Sequence, residues 1–351
     1  MQRYSPLKVW FLIVFTALGS IVAFNLFINP LWCFSHSHPL NNHQPGFNER
    51  QQKTNRAYFQ GLENYDTLLL GSSRTAYIDQ YDFEGMRVFN YAADNMGPSE
   101  YEGWIDVATT IKGAPFKTII IGLDFFGSSK NYDTFLDDYY HHKRPNDYLS
   151  KTSEPLYRYK RLLSLALLKQ SWTCVWHTIH PTVSDYDRRN VRHCNVVVDP
   201  KTKSARIRRN LDEYTYFLVK QYRYRETWQA SLRHLLNKYP NTTFIFFTTP
   251  VSKIFFERFI LEANHRKDYE RWLRDTIDVV GKIYHFMDIN SVTADMDNFF
   301  DAHHVYAPID RMIAKKISGS DDLSIPADFG KILTRRNIDR YFEKRIFMKS
   351  D

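Results

Sequence analysis

YDTLLLGSSRTAYID, residues 65–79, carries the reading of the fold. Thr67-Leu68-Leu69-Leu70 is a short apolar run of the kind that forms a strand buried on both faces. It runs directly into Gly71-Ser72-Ser73-Arg74. Glycine permits a tight turn, and a serine opening the next helix either caps it or presents a hydroxyl beside free backbone N–H groups. The rest of the chain decides between a cap and a nucleophile.

Further apolar runs follow the same form: RVFNYA (87–92), KTIIIGLD (117–124), TFIFFTTP (243–250) and IYHFMDI (283–289). Each is short and ends near Gly, Pro, Asn or Asp. Helical patterns lie between them at 99–111, 211–239 and 257–282, with a further helix at 308–317 opened by Pro308; Ser99 reads as an N-cap and Pro308 as a first-turn proline. Strands alternating with helices predict an α/β protein with a parallel sheet of five strands. Residues 127–205 break this rhythm and are too long for a plain connection. They read as an insertion or cap within a domain spanning 61–320.

The N-terminus reads differently. Residues 9–32 contain no Asp, Glu, Lys or Arg, and after Lys8 the next formal charge is Glu49. About 20 apolar residues cross a bilayer core. A cleaved signal has a shorter apolar core and a small-residue cleavage site, neither of which is found here. The expectation is a tail at 1–8, an uncleaved transmembrane anchor at 9–32, a polar stalk at 33–60 and a basic C-terminal tail at 321–351. Arg3 and Lys8 precede the span, which predicts a cytoplasmic N-terminus and an extracytoplasmic domain.

The 351-residue chain carries a formal charge of +8. The basic residues are scattered, with no zinc-finger, helix-turn-helix or aromatic-basic pattern, so nucleic acid is not an expected partner. A membrane surface or an anionic polymer suits the charge. His141-His142 and the RIRRN run (206–210) read as solvated surface or as contacts to such a polymer. Of three cysteines, Cys174 and Cys194 suit a pair in an oxidising compartment and Cys33 is left over. No C-x-x-C pair occurs, and neither a metal nor a cofactor is expected. The loop at 71 lacks the glycine-lysine pattern of a phosphate-binding loop.

Two other segments belong with Ser73. FFDAHHVYAPID (299–310) places Asp301 three residues before His304, so that a carboxylate can orient an imidazole as the base for a serine. VFNYAADNMGPSEY (88–101) offers Asn90, Asn95 and Gly97 as donors to an oxyanion. Turn chemistry and helix capping account for each segment alone.

Taken in chain order, these blocks resemble the SGNH (GDSL-like) hydrolase superfamily over roughly residues 62–318. Ser73 matches the nucleophile of the first block, with Ser72 where an aspartate often stands. Gly97 matches the second-block glycine, and Asp301 and His304 match the final D-x-x-H. The resemblance implies a flavodoxin-like three-layer αβα sandwich and a Ser73–His304–Asp301 triad, with Gly97 and Asn90 or Asn95 at the oxyanion. The G-S-S-R block, the single span and IIIGLDFF (119–126) are more similar to membrane-anchored bacterial proteins that modify surface polymers, such as alginate O-acetylation proteins and the D-alanyl transfer protein of teichoic acid synthesis. That likeness implies an esterase or O-acyltransferase acting on a cell-surface polysaccharide, with a membrane-bound acyltransferase as partner. One departure is plain. Gly122-Leu123-Asp124-Phe125 lacks the asparagine of the family's third block, which motivates the alternative of a non-catalytic scaffold in a polysaccharide modification or export complex.

Overall fold

The computed structural model describes residues 5–133, 144–193 and 196–345. Arg3, His141, His142 and Cys194 lie outside them. The chain divides into two compact units: residues 1–61 with 145–193, and residues 62–144 with 194–351.

The second unit is built on one six-stranded sheet. Its strands are β1 (Thr67–Leu70), β2 (Val88–Asn90), β3 (Thr118–Leu123), β4 (Thr243–Thr248), β5 (Lys282–His285) and β6 (Lys331–Thr334). Their order is β2-β1-β3-β4-β5-β6. The first five are parallel, and β6 runs antiparallel to β5. The expected five strands are therefore six. The sixth lies inside the expected basic tail, where only Leu333 of the four strand residues is buried. An edge strand with one buried side chain leaves almost no hydrophobic pattern to read.

Leu69, Ile120 and Phe247 from the sheet and Phe286 just after β5 share a core with Phe299, Ile309, Ile313 and Ile317. The helix Ala307–Ser318 carries the last three at helical spacing, opens with a proline in its first turn and ends on left-handed Gly319. The helix expected at 99–111 is Pro98–Lys112, capped at Gly97 rather than Ser99. The stretch 211–239 is not one helix. An α-helix, Pro200–Tyr214, passes into a π-helical segment, Thr215–Gln221, and a separate helix forms over Trp228–Lys238.

Chain order reverses at β1, which has β2 on one side and β3 on the other. In open parallel sheets, ligand sites form beyond the strands' carboxyl ends at such a point. Two glycines shape that end. Gly71 has φ +150°, and a Cβ on it would lie 2.3 Å from Thr75 Oγ1; a Cβ on Gly122 would lie 2.1 Å from the same atom. The turn after β1 folds against the end of β3 because both positions lack side chains.

The first unit corrects three expectations. Its N-terminal helix is Pro6–Ile28, long and apolar enough to be a membrane span or a signal sequence, and it stops at left-handed Asn29 before Pro30. The apolar run to residue 32 therefore overstates the helix by four residues. Residues 33–60 are not an open stalk. Glu49–Gln60 is a helix whose Gln52, Lys53, Thr54 and Asn55 are fully buried. Polar side chains are buried there because they have partners. Gln52 donates to the Pro30 carbonyl, Asn55 to that of Leu31, and Gln51 to Thr152. The segment expected as a cap also falls differently, since residues 145–193 form one compact unit with residues 1–61. Cys174 is a buried free thiol beside Gln44, and its expected partner Cys194 lies outside the described residues.

Candidate active site

Ser73 opens the short helix Ser73–Ala76 directly after β1, with Ser72 in extended conformation before it. Its Oγ lies 2.8 Å from His304 Nε2. His304 Nδ1 lies 2.7 Å from Asp301 Oδ2. An ionised carboxylate only accepts, so Nδ1 carries the proton and donates to Asp301, leaving Nε2 to accept from the Ser73 hydroxyl. The side chains are 14 % exposed for His304 and 8 % for Asp301, so the relay is shielded yet open at the serine end.

The Asp301–His304 turn is held by the backbone. Phe299 and Val305 form an antiparallel bridge across it, and Phe300 N–H donates to the His304 carbonyl. Asp301 Oδ1 accepts from the N–H groups of His303 and His304, at 2.9 and 2.8 Å. Ser252 donates to the Ala302 carbonyl, and Asn210 accepts from Ala302 N–H. Burial opposes ionisation of Asp301. The His304 and His303 imidazoles and these hydrogen bonds outweigh it and hold the carboxyl well below the usual carboxylate range.

His303 faces elsewhere. It is buried against Tyr214 and Phe255, and its Nδ1 has no partner among the described residues. Burial, with the neighbouring His304 and Arg74, pushes its pKa well below the ordinary value and keeps it neutral. Asp301, His303 and His304 do bring three ligating atoms within 4.8 Å of one another. Both His304 nitrogens already serve the relay, so a cation bound there would compete with the serine.

A second polar pair lies beneath the turn. Arg74 donates to Asp124 Oδ1 at 3.0 Å and to the Tyr214 hydroxyl at 3.2 Å, and its guanidinium stacks 4.8 Å from the centre of the Phe126 ring. Thr249 donates to the same Asp124 oxygen. The side chains of Arg74 and Asp124 are only 3 % and 5 % exposed. Asp124 thus clamps the turn that carries Ser73 to the end of β3. In the sequence, Asp124 marks only the absence of an asparagine, and the fifty residues between it and Arg74 hide the pair.

Two of the expected oxyanion donors are engaged elsewhere. Asn90 is corrected to a structural role, because its amide nitrogen donates to the carbonyls of Thr75, Ala76 and Ile78 and its oxygen accepts from Ala92 N–H. Gly97 N–H is engaged by Glu100 Oε1 at 3.3 Å, a helix-capping contact. A Cβ at Gly97 would meet the Tyr132 ring at 2.6 Å, so the glycine serves close packing. Asn95 differs. It is half-buried with φ 55°, its carbonyl accepts from the Tyr132 hydroxyl, and its side-chain amide has no partner among the described residues. Ser73 N–H likewise has no acceptor among them.

No family model matches the chain, and no curated protein or solved structure compared with it matches either.

Proposed function

We infer that the protein is a membrane-anchored serine esterase or O-acyltransferase of the SGNH type, acting outside the cytoplasm on an acylated cell-surface polysaccharide or related polymer. The observation that carries this reading is the relay from Ser73 through His304 to Asp301, whose two links measure 2.8 and 2.7 Å. The strand order 2-1-3-4-5 within the sheet supports a flavodoxin-like arrangement, with the serine at the switch point. The apolar N-terminal helix supports the anchor, and Lys8 at its start supports a cytoplasmic N-terminus.

Ser73 Oγ attacks the acyl carbonyl while its proton passes to His304 Nε2. The tetrahedral oxyanion is met by Ser73 N–H and the Asn95 amide. Collapse expels the alcohol, which takes the proton from His304 and leaves the acyl group on Ser73. Water or a sugar hydroxyl, deprotonated by His304, then attacks the acyl-serine and restores the hydroxyl. Asp301 stabilises the imidazolium in both halves. The test is turnover of p-nitrophenyl acetate by the full chain in detergent. Ser73→Ala should lower turnover by about 10³-fold or more, and an unchanged rate would remove Ser73 as nucleophile.

The engagement of Asn90 and Gly97 favours a second reading, in which the fold is a scaffold that holds a membrane acyltransferase. Co-purification with that partner and normal polymer modification after Ser73→Ala would select it.

A further inference from the structure

The first unit contains an apolar stripe that no part of the site explains. The helix Leu165–Ile179, capped by Ser164, buries Leu167, Ser171 and Cys174. On its opposite side Leu165, Trp172, Trp176 and Ile179 are 69, 62, 62 and 59 % exposed. Spacings of 7, 4 and 3 residues place all four on one helix face. Single exposed apolar residues are ordinary, but a contiguous face with two tryptophans marks an interaction surface.

This helix and the turn before it are fastened to the end of the N-terminal helix. Asn25 donates to the Leu162 carbonyl at 2.8 Å, Ser171 donates to Asn25 Oδ1 at 2.8 Å, and the Phe24 and Trp172 rings lie 4.9 Å apart. Lengths then matter. Within Pro6–Ile28, residues 6–20 are exposed except for half-buried Val14, and burial against the unit begins at residue 21. Those free residues rise about 22 Å at 1.5 Å each, whereas the hydrocarbon core is about 30 Å thick. The missing ~8 Å must come from the last two turns, the ones to which Leu165–Ile179 is fastened. That figure falls within the depth of about 5–10 Å at which interfacial helices sit.

We propose that Leu165–Ile179 is an interfacial helix. It lies in the headgroup region of the leaflet where the span's C-terminal end emerges, with Trp172 and Trp176 inserted into lipid. Exposed Lys160, Arg161 and Lys169 supply charge for anionic headgroups, and Lys169 can extend its stem along the apolar face. The proposal rests on the N-terminal helix spanning a bilayer, as read above.

The test reconstitutes the full chain in phosphatidylcholine vesicles containing a minority of phosphatidylglycerol, with and without brominated acyl chains that quench tryptophan on contact. Wild type is compared with the exposed double variant Trp172→Phe/Trp176→Phe, which retains Trp10 in the span. The variant should lose about two thirds of the quenched amplitude, the share of two of the three tryptophans at lipid depth. Quenching that persists undiminished in the variant would overturn the interfacial helix and leave the span standing. No quenching in either protein would overturn both. A stripe that escapes quenching and cross-links to a second copy of the chain would overturn the proposal in favour of self-association.

Discussion

Two clusters of buried polar side chains, one in each unit, end on different kinds of partner. Around the end of the N-terminal helix they end on backbone carbonyls. Gln44 and Gln52 reach Pro30, Asn55 reaches Leu31, and Gln60 reaches Trp32 and Phe34. Arg188 reaches Ile28, Asn29 and Asn41, satisfying carbonyls that the end of the N-terminal helix leaves open. At the candidate site of the second unit the side chains end on one another, Ser73 on His304 on Asp301 and Arg74 on Asp124. Bonds to backbone fix a chain path. Bonds between titratable side chains hold charges and can move a proton. The first pattern is a clamp and the second a relay with its support.

The largest effect that would break this contrast lies in the relay. Asp301→Asn should lower esterase turnover by about 10⁴-fold, because the amide stabilises the wrong imidazole tautomer while geometry is kept. Stopped assays on the purified variant, with circular dichroism to confirm folding, measure it; a loss below tenfold would mean that Asp301 only braces its turn. Next comes the support. Arg74→Met leaves Asp124 buried without its counter-charge, and a chemical denaturation midpoint should report about 3–5 kcal/mol of lost stability. Adding Asp124→Leu should recover much of that loss, and no recovery would show that Arg74 acts through packing alone.

A smaller effect belongs to the clamp. Arg188→Met should cost about 1–3 kcal/mol, read as faster hydrogen exchange in the Glu49–Gln60 helix. Unchanged exchange there would dissolve the clamp. The smallest effect is one of pH. His303 titrates below its ordinary value when folded, so below about pH 6.5 the unfolded chain binds the extra proton. Stability should fall with acidification from that point, at most about 1.4 kcal/mol per pH unit from this group. Asp301, depressed when folded, stabilises above the usual carboxylate range, and its share is lost only as pH falls below about 4. Urea titrations of wild type and His303→Gln at pH 7 and 5.5 separate the two; equal losses in both proteins would clear His303.

How much of this was legible in sequence depended on distance along the chain. Ser73 after its strand and the Asp301–His304 spacing are local patterns, and one hydrogen bond joins them across the fold. The parallel strands announced themselves through buried apolar runs. β6 did not, because an edge strand beginning at Lys331 buries one side chain. The Glu49–Gln60 helix was invisible for the reverse reason, since polar residues buried by hydrogen bonds to distant carbonyls mimic a solvated stalk. Asn90 and Gly97 had the right chemistry for an oxyanion hole. Local acceptors at Thr75, Ile78 and Glu100 claim their N–H groups, a competition that residue type and spacing do not show.

The proposed chemistry requires Ser73 to be an activated nucleophile. The most direct test is covalent. The full chain in detergent is treated with a fluorophosphonate probe and mapped by peptide mass spectrometry. One adduct on the peptide containing Ser73 is expected, abolished in Ser73→Ala and strongly slowed in His304→Ala. An adduct that persists in Ser73→Ala, or a wild-type chain that never labels, would show that Ser73 is not an activated nucleophile.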